Sequence, residues 1–473
     1  MNNKALQFFT LIFFLLSNSA LAFDPLLTEK NLPKKEYDFY LDERGYIERS
    51  CDLPDFKNTI SLFQAINLGL CRNVDSKISW LTIKKQAAIY GVSKSTYLPT
   101  ISLVASKDNV SSSSKNQITK NSQASTSQNI SFNWLLYDFG TRSANVNRDY
   151  FALVQSAYTH NYNLQNIIYK IIYSYSNLFA ANESLKAALL SEKSNQIAYD
   201  VALKKFAVGV SPKADVLKIE ASYSQAILNR QKAENSLANY LGSFLQILNL
   251  PQGTKIDLSP PSFSDNATLL EKGFDKLINE AMLNRPDLKA LIAKEKSLDQ
   301  DRKSASLDRL PKISLYGSKD YSQIRNGENQ IDNSIGVKAT FNFFTGFSES
   351  YTAKGRDYNY QSVKEERKNT ENQIALDVWN GYQNFKTAQD TEITATKLLK
   401  SADESKKVTL GSYKVGSGSA VDVVSAEASY ANALQELILA KYSKFTSKAA
   451  LLLAIGELNL NNLNQESNAD EIK

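Results

Sequence analysis

The chain has 473 residues, a net charge of +6, 22% charged and 42% hydrophobic residues, one histidine and two cysteines. So little histidine and cysteine leaves almost nothing for a transition-metal site, and a small net charge with both signs interspersed gives no nucleic-acid footprint. The 24 Tyr and 22 Phe are many for a helical chain, and aromatic girdles at a membrane boundary are one use for them.

Residues 1–22 read as a secretory signal peptide. Lys4 precedes an apolar run over residues 8–16, and Ala20-Leu21-Ala22 is a small-x-small cleavage site that leaves Phe23 first in the mature chain. The run is too short to span a bilayer, and no other stretch approaches the ~18 apolar residues a membrane helix needs. No cysteine follows the site, so a lipid anchor is not supported. Residues 23–60 form an N-terminal extension. It carries Cys51, close in sequence to Cys71. In an oxidising compartment such a pair reads as a disulfide, the alternative being two free thiols.

A first repeat, residues 61–258, opens with a short helix and then two strands, about 96–109 and 127–139. Ile130, Phe132, Trp134 and Leu136 alternate with Ser131, Asn133 and Leu135. Apolar-out, polar-in alternation over about ten residues is the signature of a membrane β-strand; an amphipathic strand on a soluble sheet is the alternative. Residues 110–126 are rich in Ser, Asn, Gln and Lys and read as a solvated loop.

Helices are expected over 142–207 and 213–248. The first lacks Pro and Gly, and Leu164, Ile171, Leu178 and Leu185 fall seven apart, beside Ile168, Tyr175, Asn182 and Leu189 on the companion seam. At 1.5 Å per residue such a helix is roughly 100 Å long. It reverses at Val208-Gly209-Val210-Ser211-Pro212, where Gly ends one helix and Pro opens the next. His160 is expected as a polar surface residue of this helix.

Residues 259–458 repeat the plan, with strands about 310–322 and 333–344, a polar loop over 323–332 and helices 348–413 and 420–455. Val337, Ala339, Phe341 and Phe343 alternate with Lys338, Thr340 and Asn342. Leu98-Pro99-Thr100-Ile101-Ser102-Leu103 returns as Leu310-Pro311-Lys312-Ile313-Ser314-Leu315, and Asp215-Val216 with Glu220-Ala221-Ser222-Tyr223 returns as Asp422-Val423 with Glu427-Ala428-Ser429-Tyr430. A period near 200 residues is a duplication of an elongated unit rather than a solenoid. Residues 459–473 are a polar tail. Four strands cannot close a barrel, and an open edge cannot face lipid, so several chains must share one. Two chains give eight strands and a side-chain-filled barrel; three give twelve and a lumen.

These features together resemble the TolC family of outer-membrane efflux proteins over residues 60–458. The resemblance rests on the duplication, the strand opening Tyr97-Leu98-Pro99-Thr100-Ile101, and the exits Tyr137-Asp138-Phe139-Gly140 and Phe343-Phe344-Thr345-Gly346. It rests also on the reversals Phe206-x-Val208-Gly209 and Tyr413-x-Val415-Gly416-x-Gly418, and on Asn284-Arg285-Pro286-Asp287-Leu288, whose first-copy counterpart Arg72-Asn73-Val74-Asp75 departs from it. The resemblance implies a mainly α chain with a membrane β-barrel: a homotrimer whose twelve-stranded barrel sits in outer-membrane lipid and continues as an α-helical periplasmic tunnel. It implies no catalytic residues and no cofactor. The partners are a periplasmic adaptor protein, docking at Val208, Gly209, Val210, Val415, Gly416, Ser417 and Gly418, and an inner-membrane transporter. The cargo is small molecules or secreted proteins. The family's acidic periplasmic entrance maps to Asp422, with Ser425 replacing its second acid; Asp422 read as a helix-start residue facing the dipole is the alternative. A structural coiled-coil adhesin is the rival reading from another class.

Overall fold

A computed structural model describes residues 24–36, 38–39, 59–114, 117–260, 268–324 and 329–458. The expected signal peptide, Cys51 and the C-terminal tail lie outside the described residues. The elements run α1 (Leu62–Arg72), α2 (Val74–Ser95), β1 (Thr100–Ser114), β2 (Gln117–Tyr137), α3 (Thr141–Ala207), α4 (Lys213–Ile247), α5 (Thr268–Glu271), α6 (Phe274–Asn284), α7 (Pro286–Leu307), β3 (Lys312–Ile324), β4 (Asn329–Thr340), α8 (Ser348–Val415) and α9 (Ala420–Ala454). They divide into two compact units. One comprises Met1–Leu32, Leu81–Ala157 and Ala290–Arg367, the other Pro33–Trp80, Tyr158–Lys289 and Lys368–Lys473. No helix among the described residues is long and apolar enough to cross a membrane.

The first unit holds one antiparallel sheet in the order β1-β2-β3-β4. Its register sorts the side chains onto two faces, because neighbouring residues of a strand point opposite ways. One face carries the rows Ile101–Phe132–Gly317–Ile335 and, beyond β1, Trp134–Leu315–Val337. The other carries Ser102–Ser131–Ser318–Ser334 and Val104–Asn129–Asp320–Asp332. From Ile313 to Tyr321 the apolar face of β3 covers roughly 26 Å along the strand, interrupted by Lys319. That matches the ~25 Å band of a lipid-facing barrel wall. Within one chain this face is uncovered: Ile101, Ile335 and Val337 are all exposed. Two glycines let the sheet close up. A Cβ at Gly317 would collide with the Phe132 ring, and one at Gly336 would press on the Tyr316 ring.

The strands differ from the sequence reading in two ways. Residues 110–126 are not a loop: β1 continues to Ser114 and β2 begins at Gln117. The polar stretch over 323–332 is likewise mostly ladder, with β3 reaching Ile324 and β4 starting at Asn329. Backbone pairing does not need apolar side chains, so alternation marks only the part of each hairpin that has an apolar face. In the other direction, β4 stops at Thr340, short of Phe341 and Phe343. Thr340 pairs with Lys312, and the preceding Pro311 has no N–H to extend the ladder. In the same unit Asp301 of α7 ties the two copies together, taking Arg148 of α3 at 3.4 Å and Arg356 of α8 at 2.9 Å.

The second unit is helical. Leu164, Ile168, Ile171, Tyr175 and Leu178 of α3 are buried as the heptads require, but Leu189 is exposed, so the seam fades C-terminally. His160 is not a surface residue: it is fully buried, and its Nδ1 lies 2.7 Å from the Ser79 hydroxyl. The apolar stripe of α3 is wide enough at that level to bury the ring, which a seven-residue seam does not reveal. Burial pushes its pKa down to about 4. At the reversals, Ala198 and Ala202 of α3, Val216 and Ile219 of α4, Tyr413 of α8 and Ala420 and Val423 of α9 form one apolar cluster.

Candidate functional site

Two places carry most of the sequence motifs, and the first is the exit from β2 into α3. Phe139 and Gly140 both take positive φ, +55° and +99°, which turns the chain sharply out of the strand. The buried Asp138 then caps α3, accepting the Arg142 N–H at 2.7 Å. The Arg142 guanidinium folds back over the turn. It donates to the Leu135 carbonyl at 2.6 Å, the Leu136 carbonyl at 3.0 Å and the Thr96 carbonyl at 3.3 Å, and lies 4.6 Å from the centre of the Tyr97 ring. One side chain thus satisfies the carbonyls left unpaired where the ladder ends. In the second copy Gly346 and Phe347 supply the positive φ, +62° and +65°, but Phe344 stands where Asp138 would be. Phe341, Phe343, Phe344 and Phe347 are exposed, Phe343 to 90%.

The second place is the pair of helical reversals. Val208, Gly209 and Val210 are exposed, as are Val415, Gly416 and Ser417. Gly209 and Gly416 have φ of +75° and +91°, with open space around the position of a Cβ. Gly418 differs: a Cβ there would come within 3.0 Å of the Tyr413 nitrogen, so this glycine is demanded by the turn itself. The Ser419 hydroxyl caps α9, accepting the Asp422 N–H at 3.2 Å and donating to the Asp422 carboxylate at 2.7 Å. Asp422 and Ser425 are exposed one turn apart on one face of α9, while Val423 points into the apolar cluster. On α4, Asp215 accepts from the Ser211 hydroxyl at 3.0 Å. Each aspartate therefore stabilises a helix start, whatever else it does.

Two polar residues of the sequence motifs are buried, which the motifs themselves do not announce. Glu427 of α9 is 2% exposed; it accepts from the Ser194 hydroxyl of α3 at 2.5 Å and faces Lys406 of α8 at 3.8 Å. Its first-copy counterpart Glu220 is exposed, so the repeat hid the difference. Arg285 belongs to the Asn284–Leu288 motif and is 8% exposed. It holds Asp287 through two bonds, at 2.7 and 3.0 Å, and Asp377 at 2.8 Å. Gly456 lies so close that a Cβ there would meet the Arg285 backbone at 2.8 Å. Cys71 is half-buried near the end of α1; its expected partner Cys51 lies outside the described residues.

The family described as outer membrane efflux protein matches residues 65–249 and 277–457, one block in each copy. Among curated proteins, the protein CyaE of Bordetella pertussis is 22% identical over 411 residues, which cover 85% of this chain and 85% of that protein. The outer membrane protein TolC of Vibrio cholerae is 23% identical over 302 residues, 62% of this chain and 68% of its own length. Among solved structures, the CmeC outer membrane channel of Campylobacter jejuni aligns with a TM-score of 0.73 at 18% identity, covering 92% of this chain and 96% of that one.

Proposed function

The chain belongs to the outer membrane efflux protein family, and from that premise we propose that three copies close a twelve-stranded barrel in the outer membrane and conduct cargo through a helical periplasmic tunnel. One observation carries the assembly. The sheet is apolar on one face and polar on the other, and ends in two open edges, β1 and β4. In lipid those edges must be paired, and only another copy's edges complete the wall. Export thus depends on a passive conduit, and the energy comes from an inner-membrane transporter coupled through a periplasmic adaptor. Small toxic molecules and secreted polypeptides are both within reach of such a lumen. Native mass spectrometry of protein extracted from outer membranes in mild detergent, with conductance in planar bilayers, tests the reading. Trimers with lumen-sized conductance support it; a monomer as the sole species, or fibres without conductance, sinks it and favours the adhesin.

The adaptor docks at the reversals. Val208 and Val415 are 73% and 82% exposed and offer apolar surface that a docked partner would cover. Replacing both with Glu abolishes export while the trimer still forms. Unchanged export places the docking elsewhere. Val is the better target than Gly209 or Gly416, whose positive φ would strain any replacement. Export itself uses residues 1–22 as a signal, cleaved after Ala22, which N-terminal sequencing of the mature protein checks. In the oxidising compartment Cys51 and Cys71 form a bridge worth roughly 3 kcal/mol. Thiol labelling of the denatured, unreduced protein then finds no free thiol.

A further inference from the structure

The polar face of the sheet is not uniformly polar. Its rows follow one another along the strands, and their charges change sign. Nearest the helices, Lys312 pairs with Thr340 and Lys338 with Ser314. Next but one comes the neutral row Ser102–Ser131–Ser318–Ser334, with hydroxyls bonded in pairs at 2.8 and 2.9 Å. Toward the hairpin tips follow Asp320 and Asp332, directly opposite each other on β3 and β4, and then Asp108 on β1. The carboxylates are held in place by neutral donors. Ser318 donates to Asp320, Gln330 to Asp332 and Ser106 to Asp108, each at 2.9 Å, and Asn129 also bonds Asp320. Lys312 is ion-paired with Asp308 at 2.7 Å, so the basic zone rests mainly on Lys338. Lys338 lies six residue steps from Asp332 on β4, roughly 20 Å along the strand.

We infer that the barrel lumen is a two-zone charged pore, basic at its helix end and acidic at its outer mouth, and that the outer mouth is its cation filter. The inference rests on the trimeric barrel proposed above, which turns the polar face inward and repeats each charge three times. Among the described residues of that face carboxylates then outnumber ammonium groups, so this stretch of the pore prefers cations. The two zones lie farther apart than the Debye length of about 10 Å in 0.1 M salt, so each sets its own local ion population. When the outer side is positive, cations enter through the acidic mouth and anions through the basic end, and both accumulate at the serine belt. When the sign is reversed, both are drawn out of it. Current is therefore larger with the outer side positive. In 1 M salt the Debye length falls to about 3 Å, and the asymmetry disappears. Cationic cargo and counter-ions pass this mouth more readily than anionic ones.

Single-channel recordings of the full-length trimer in planar bilayers test this, with KCl as the only probe. The wild type is expected to prefer K⁺ and to pass more current with the outer side positive in 0.1 M KCl, but not in 1 M. The triple variant Asp108→Asn, Asp320→Asn, Asp332→Asn loses both properties. Lys338→Gln keeps the cation preference and loses the asymmetry; should the triple variant fail to assemble, this one decides. Asp422→Asn leaves the asymmetry in place. A conducting wild type with symmetric current in 0.1 M KCl overturns the inference and leaves the conduit standing. So does a triple variant with unchanged selectivity. A trimer that inserts and passes no current overturns the conduit and this inference with it.

Discussion

The two exits from strand to long helix turn the chain by different means, in three residues after β2 and in seven after β4. In the first copy, Asp138 and Arg142 are buried and stitch the turn to three strand and loop carbonyls. In the second, positive φ falls at Gly346 and Phe347, one position later in the matched motif, and exposed phenylalanines line the turn. A duplicated backbone need not keep duplicated side chains. What the copies share is a passage from strand into long helix through two residues of positive φ, and each makes it with its own side chains. The polar clamp is self-sufficient within one chain. The aromatic exit, beside the open edge of β4, suits a boundary where lipid headgroups or a neighbouring copy complete it.

The sharpest way to break that contrast is Arg142→Ala. It leaves Asp138 buried without its cation and strands three carbonyls, and about 3–5 kcal/mol of stability is expected to be lost. Ser348→Ala, the corresponding change in the second copy, should stay within about 0.5 kcal/mol. Heat resistance of the detergent-solubilised protein measures both, and equal losses would erase the distinction. A smaller asymmetry is expected at the paired motifs. Arg285→Ala removes bonds to two carboxylates and should cost about 2–3 kcal/mol. Arg72 of the first-copy motif, whose guanidinium donates to the Asn249 carbonyl at 3.4 Å, should cost about 0.5 kcal/mol when replaced by Ala.

The first copy alone is also pH-sensitive through its histidine. His160 has a folded pKa of about 4, below the ordinary 6.5, so the unfolded chain binds its proton first on acidification. Stability present above pH 6.5 is lost as the pH falls toward 4, and amounts to about 3 kcal/mol over that window. His160→Gln should flatten that part of the melting profile; an unchanged profile would mean that other groups govern it. The smallest expected difference separates the two reversals. Asp422→Asn should weaken cation selectivity in bilayers slightly and cost roughly 0.3–1 kcal/mol, with Asp215→Asn affecting selectivity less. Equal effects would leave both as helix-start residues.

The long helices, their reversals and the strand pairs were legible because each depends on a period or a punctuation: heptads over residues 164–178, Gly209 and Gly416, alternation over 130–136. Strand length was not. Ser111, Ser112 and Ser114 pair through backbone atoms that every sequence shares, so nothing in their side chains announces a ladder. Glu427 was hidden by its own repeat, since the motif reads alike in both copies while only one copy packs a helix over it. Arg142 lies two residues beyond the Tyr137–Gly140 motif, and its role depends on the Thr96 carbonyl, which no local pattern predicts. Register was the other silent quantity. Only the pairing of Asp320 with Asp332 turns two scattered aspartates into neighbours.

The two bare edges of the sheet also set a race. A newly exported chain offers β1 and β4 with unpaired backbone groups and an uncovered apolar face, which is the template on which strands stack without limit. In the proposed trimer, ring closure consumes both edges at once and leaves no growing end. Whether a cell accumulates channels or aggregates is thus a competition between two orders of encounter, closing a small ring against adding one more copy. Slow delivery, membrane capture and escort of the single chain all tip that competition toward the ring.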